Sequence, residues 1–247
     1  MAGRKITFFA LIALLIAAGC SDDEDPTTPK PPTGPFSEVL DAVKDNTLYE
    51  DSAGAFSNGG GQYIFAGTTD PLGGGEPSER RRAVIAFDAD DGGIPMGATI
   101  DSVFLMLAMN KTKLLTARQI TIHRLTKDWG EGTTSPPNLN EGQGEPADSG
   151  DATWIHTHYD TASWSTPGGD FVATSSASQT VAGPGTYIWG STPQMVADVQ
   201  MWLDDPSTDF GWIIIGDETT DTTAKRFGSR ENNSILQQPE IVVYYTP

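Results

Sequence analysis

One pattern recurs from Phe36 to the C-terminus: a short run of β-branched or aromatic residues, then a cluster of Gly, Asp, Asn or Pro. Runs this short leave little room for helices, and the pattern is how β-sandwiches and barrels read in sequence. Residues 47–49 and 62–67 (QYIFAG) flank a Gly-rich turn, and 82–88 (RAVIAFD) and 99–109 (TIDSVFLMLAM) follow. In the last of these, Val103, Leu105, Leu107 and Met109 fall on one face and Phe104, Met106 and Ala108 on the other. A central strand covered on both faces is expected there. Ile120 and Ile122 alternate with Gln119, Thr121 and His123, the pattern of a strand with one wet face. Residues 210–215 (FGWIII) and 240–245 (EIVVYY) read as the clearest strands, so the chain should end on a core strand.

A single helix is expected. Thr192 can cap it, Pro193 suits the first helical position, and Met195, Val199 and Trp202 with Val196 and Leu203 form an apolar stripe. Strands and helices do not alternate, which argues against a parallel α/β sheet. The 247 residues suit a single all-β domain, and one Cys excludes an internal disulfide framework.

The N-terminus points to export. Arg4 and Lys5 precede residues 6–18, apolar apart from Thr7 and too short to span a bilayer as a helix, as in a signal peptide. The stretch ends Ala17-Ala18-Gly19-Cys20, which resembles a bacterial lipobox and implies that Cys20 is lipidated after removal of residues 1–19. An ordinary cleaved signal with an incidental Cys is the plainer alternative. Residues 20–35 then form an acidic, Pro-rich tether with five prolines between 26 and 35, extended at about 3.1 Å per residue. The expected location is the cell envelope, at the outer membrane or cell surface, with membrane contact through the anchor alone.

Several segments resemble the DNRLRE domain family in order along the chain. They are Asp45-Asn46-Thr47-Leu48-Tyr49, Ile94-Pro95-Met96-Gly97-Ala98-Thr99-Ile100, Asp128-Trp129-Gly130-Glu131-Gly132 and Gly150-Asp151-Ala152-Thr153-Trp154. The stretch 164–171 (WSTPGGDF), the end of the expected helix and Phe227-Gly228-Ser229-Arg230-Glu231 complete the series, spanning roughly residues 38–246. The resemblance implies an antiparallel jelly-roll-like β-sandwich over residues 36–247, related to carbohydrate-binding modules and without catalytic residues. A Gly/Pro/Asn-rich insertion at 133–149 departs from the family pattern.

Charge narrows the function. Lys and Arg number 15 against 33 Asp and Glu, a net charge of −18, which argues against nucleic acid as a partner. Sugar recognition needs an aromatic face beside planar polar groups. Trp129, Trp154, Trp164 and Tyr159, with His156 and His158, could supply these between residues 128 and 170, although tryptophan also serves as packing. His156 and His158 would chelate a metal if a third ligand converged. Arg230 and Glu231 read as a buried ion pair stitching the last hairpin. Structural Ca2+ would suit acid-rich turns such as 88–91, 204–205 and 217–218, without a nameable ligand set; solvated turns are the alternative.

The expected function is non-catalytic binding of a carbohydrate or other extracellular polymer. A structural or adhesive module of a cell-surface assembly is the alternative. A polysaccharide-degrading enzyme is the third, since glycoside cleavage needs only two well-placed carboxylates.

Overall fold

A computed structural model describes residues 35–71, 78–137 and 141–247. The expected signal peptide, Cys20 and the tether up to residue 34 lie outside the described residues. The early strands are β1 (Phe36–Tyr49), β2 (Phe56–Ser57), β3 (Tyr63–Thr68), β4 (Arg80–Phe87), β5 (Thr99–Thr112) and β6 (Arg118–Arg124). After them come β7 (Glu145–Pro146), β8 (His156–His158), β9 (Ala162–Ser163), β10 (Ala177–Val181) and β11 (Gly185–Gly190). The helix α1 (Pro193–Asp204) precedes β12 (Trp212–Ile215), β13 (Lys225–Gly228) and β14 (Glu240–Thr246). The protein is all-β with antiparallel pairing and one α-helix among the described residues.

Strands β1 and β3 each change partners midway. β1 pairs with β14 from Phe36 to Asp41, shifts register between Ala42 and Lys44, and then pairs with β4 as far as Tyr49. β3 pairs with β13 through Ala66 and with β4 at Gly67 and Thr68. The corner falls at Gly67, whose φ is +116° and where a Cβ would lie 2.9 Å from the Thr223 carbonyl oxygen; a residue with a side chain would be strained there. The hydrogen-bonded order β1-β14-β5-β13-β3-β4 thus returns to β1 and closes a barrel-like ring. Beyond β4, β12, β6 and β10 extend the sheet, and β11 borders β5.

The ring encloses the main core, in which Ile85, Leu105, Trp189, Trp212, Phe227 and Ile241 are buried. α1 is anchored as its sequence predicts. Thr192 accepts a hydrogen bond from the Met195 amide, and Met195, Val199, Trp202 and Leu203 face inward. Trp202 meets Trp212 edge-on with ring centroids 4.6 Å apart. The helix also buries Asp198, which accepts from Trp212 Nε1 at 2.9 Å and Gln194 Nε2 at 2.9 Å and pairs with Arg124 at 3.3 Å.

Strand β5 corrects an expectation. It is hydrogen-bonded on both edges, but only the Val103, Leu105, Leu107 and Met109 face is buried. Phe104, Met106 and Ala108 stay partly exposed because no second layer covers that side among the described residues.

The predicted C-terminal core strand is present as β14, wedged between β1 and β5 with Ile241, Val243 and Tyr245 buried. Burying each such side chain stabilises a fold by about 1.5–3 kcal/mol, so their joint loss is comparable with the whole stability of a domain. A chain ending at Pro239 is expected to lack a cooperative thermal transition, as followed by circular dichroism, where the full chain shows one.

Candidate functional site

Strand β4 and its neighbour β12 carry apolar residues at consecutive positions, so both faces need cover. Ile85, Phe87, Trp212 and Ile214 point into the ring. Val84, Ala86, Ile213 and Leu48 of β1 point the other way and are covered by Leu125, Trp129, Ala152, Trp154 and Trp164.

The predicted aromatic platform is therefore a second core. Trp129, Trp154 and Trp164 retain 1%, 4% and 5% of their surface, too little to stack on a sugar. Their polar atoms and faces are already engaged. Trp129 Nε1 donates to the Phe210 carbonyl oxygen at 2.9 Å and Lys44 Nζ sits 4.5 Å from the Trp129 ring centre. Trp164 Nε1 donates to the Thr153 carbonyl oxygen at 2.9 Å, and the guanidinium carbons of Arg80 and Arg82 each lie 5.0 Å from the Trp154 ring. His156 and His158 lie on the short strand β8, where their Nδ1 atoms meet Thr153 Oγ1 and Thr157 Oγ1. Tyr159 packs edge-on against His156. Neither histidine belongs to a group of three metal-capable side chains among the described residues.

Such a group forms elsewhere. Asp45 on β1, Glu131 in the loop after β6 and Glu231 in the turn after β13 bring one carboxylate oxygen each to within 4.8 Å of one another. The backbone fixes this convergence. Glu131 Oε1 accepts the Asp45 amide at 2.8 Å, Asp45 Oδ2 accepts the Arg230 amide at 2.7 Å, and Asn46 Nδ2 donates to the Glu131 carbonyl oxygen at 2.7 Å. A Cβ at Gly59 would lie 1.7 Å from that same carbonyl oxygen, so only glycine lets the loop approach so closely.

Arg230 spans the cluster. Its Nε lies 2.6 Å from Glu131 Oε1 and 2.9 Å from Glu231 Oε1, and its Nη2 donates to Glu131 Oε2 at 3.1 Å. The predicted Arg230–Glu231 pair is present, but it is partly exposed and ties a turn to the Glu131 loop rather than stitching a hairpin. Asp45 Oδ1 and Glu231 Oε2 are buried with no hydrogen-bond partner. Burial, then the Glu231 charge, pushes the Asp45 carboxyl well above the carboxylate range. Burial, then Glu131, raises Glu231 to about 7. The acid-rich turns considered from sequence supply no comparable group among the described residues.

A groove of about 470 Å³ opens on β3, β5 and β13, lined by Phe65, Arg81, Lys111, Lys113 and Arg226 with threonine hydroxyls between them. Arg81 pairs with Glu79 at 2.9 Å and Lys113 with Asp70. Arg226 donates to Asn110 Oδ1 at 2.7 Å with its guanidinium carbon 3.8 Å from the Tyr63 ring centre, and among the described residues Lys111 makes no ion pair. Among the described residues, four cations against two acids give the groove a net charge of +2 on a chain of −18. A second hollow lies at Thr126, Lys127, Ser165, Thr166 and Asp170, but its one cation is paired with its one acid at 3.6 Å.

Two outcomes test these assignments. Trp164→Ala is expected to destabilise the fold by about 3–5 kcal/mol in urea unfolding, the range for a buried tryptophan, rather than to act only on binding. The second concerns Asp209, whose carboxyl is raised to about 7 by burial and then by the Asp88 charge. Its folded pKa lies above the unfolded value of about 4. The folded state therefore retains a proton that the unfolded chain releases, and this stabilisation is lost as pH rises from about 4 to 7. Asp209→Asn should remove a contribution on the order of 1–4 kcal/mol to the fall in stability over that window, measured as urea unfolding at each end.

Neither a protein-family model nor a curated protein sequence matches the chain.

Proposed function

We propose that the protein is a non-catalytic, Cys20-anchored cell-envelope lipoprotein whose DNRLRE-like domain binds an anionic extracellular polysaccharide in the groove on β3, β5 and β13. The observation that carries the proposal is the charge reversal: four cations line one groove of a protein that is acidic overall. Phe65 offers an apolar sugar-facing surface, and Thr222 offers a hydroxyl. Cations in a cleft draw in anionic ligands while the surrounding negative surface discourages adsorption elsewhere. The ring is read here as the jelly-roll-like β-sandwich of that family, with β1 and β3 joining its two layers; the antiparallel pairing throughout supports this.

One observation favours the structural or adhesive alternative. Val39, Val242 and Phe104 form a cross-strand row on the outer face of β1, β14 and β5, flanked by Tyr244 and by Ile188 beside Met106. Val39, Ile188 and Tyr244 keep 48%, 46% and 38% of their surface, an apolar face suited to protein contact.

Lys111 is exposed and makes no ion pair among the described residues, so it separates binding from folding. Lys111→Glu in the full chain is expected to weaken binding to carboxylated glycans by about tenfold, leave the melting temperature unchanged, and reduce the salt dependence of binding. Equal binding of neutral and carboxylated glycans, or binding of neither in calorimetry, would overturn the proposal.

A further inference from the structure

The carboxylate cluster carries charges that its protein partners do not balance. Arg230 pairs with Glu131 and Glu231 and its backbone amide holds Asp45, so one positive charge serves three acids. Asp45 is fully buried, and its Oδ1 has no hydrogen-bond donor although the other oxygen is held by the Arg230 amide. Glu231 Oε2 is likewise buried and unpartnered. Leaving buried carboxylate oxygens without a donor or counter-charge is costly, yet the surrounding hydrogen bonds hold both in place.

We propose that Asp45, Glu131 and Glu231 form a calcium site, in which Asp45 Oδ1 and Glu231 Oε2 are principal ligands and Arg230 keeps the remaining carboxylate oxygens oriented. This goes beyond the polysaccharide reading and does not depend on it. The donor set is oxygen only, which suits a hard cation. The three donor atoms lie within 4.8 Å of one another, close enough to share one Ca2+ with ligand distances of about 2.4 Å. A divalent ion would bring the charge of the three acids and Arg230 to zero. Calcium tolerates the irregular geometry of carboxylates drawn from a strand, a loop and a turn, whereas Mg2+ demands a near-ideal octahedron and keeps its waters. The ion would join segments far apart in sequence, tying β1 to the loop after β6 and to the turn after β13.

The test is thermal unfolding of the full chain in EDTA, in about 5 mM CaCl2 and in about 5 mM MgCl2, together with Tb3+ luminescence sensitised by tryptophan. Calcium is expected to raise the melting temperature of the wild type by about 5 °C, magnesium by less, and Tb3+ luminescence should saturate at one equivalent and be displaced by Ca2+. Asp45→Asn and Glu231→Gln should both abolish the calcium shift, and Asp45→Asn in EDTA should melt no lower than the wild type because it removes an unbalanced buried charge. Asp90→Asn, in an exposed acidic turn, should keep the shift. Should Asp45→Asn fail to fold, Glu231→Gln, at a less buried position, decides the matter alone. An unchanged wild-type melting temperature between EDTA and calcium, or a shift that survives both substitutions, would overturn the proposal; a proton shared between the two carboxyls would then be the counter-charge.

Discussion

Strand β1 hydrogen-bonds to β14 along its first half and to β4 along its second, and everything else is arranged around that division. A strand that serves two neighbours in succession must bend where it changes partner, and the register shift near Val43 is that bend. Immediately past it lie Lys44, Asp45 and Asn46, whose side chains reach Asp128, Trp129, Glu131, Ser57 and Ala152 or aim into the carboxylate cluster. The same kink that closes the ring thus presents the polar residues of β1 to the loops that cover it. With β3 turning its own corner at Gly67, the pairings run from β1 round to β4 and back to β1.

A second constraint follows from composition along β4 and β12. A strand whose consecutive residues are all apolar needs cover on two sides, and the ring interior supplies only one. The loop segment from Leu125 to Phe171 supplies the other with three tryptophans, which explains why a Gly- and Ser-rich stretch carries so much aromatic mass. Guanidinium and ammonium groups of Arg80, Arg82 and Lys44 finish the outer rim, so the loop layer is sealed by cation–π contacts and by the bidentate Arg82–Glu218 pair at 2.7 and 2.8 Å.

How much of this was legible in the sequence differs by element. The helix could be read residue by residue because capping and an i, i+4, i+7 stripe are local signals, and Thr192, Pro193, Val199 and Trp202 behave as their spacing predicts. β6, β12 and β14 were equally plain from period and β-branching. The length of β1 was not, since its first half (FSEVLDAV) mixes apolar and charged residues without a regular period and only its pairing with β14 makes it a strand. The burial of Trp129, Trp154 and Trp164 was legible only indirectly, through the double-sided apolarity of β4 and β12, a signal outweighed by the polar composition around the tryptophans. The meeting of Asp45, Glu131 and Glu231 has no local signature at all. Each acid sits in a different one of the segments that resemble the DNRLRE family, and nothing in their spacing states that a strand, a loop and a turn so far apart share one point in space.

The ring is closed by joining nearly the first described residue to nearly the last, Phe36 beside Tyr245. Contacts of such separation are slow to form, because the entropy of a very long loop must be overcome before any of their energy is gained. Until β14 is in place the ring remains open, with β1 and β5 each missing the neighbour that lies between them. Closure of the ring is therefore a late event in assembly of the domain, set by the docking of β14 between β1 and β5.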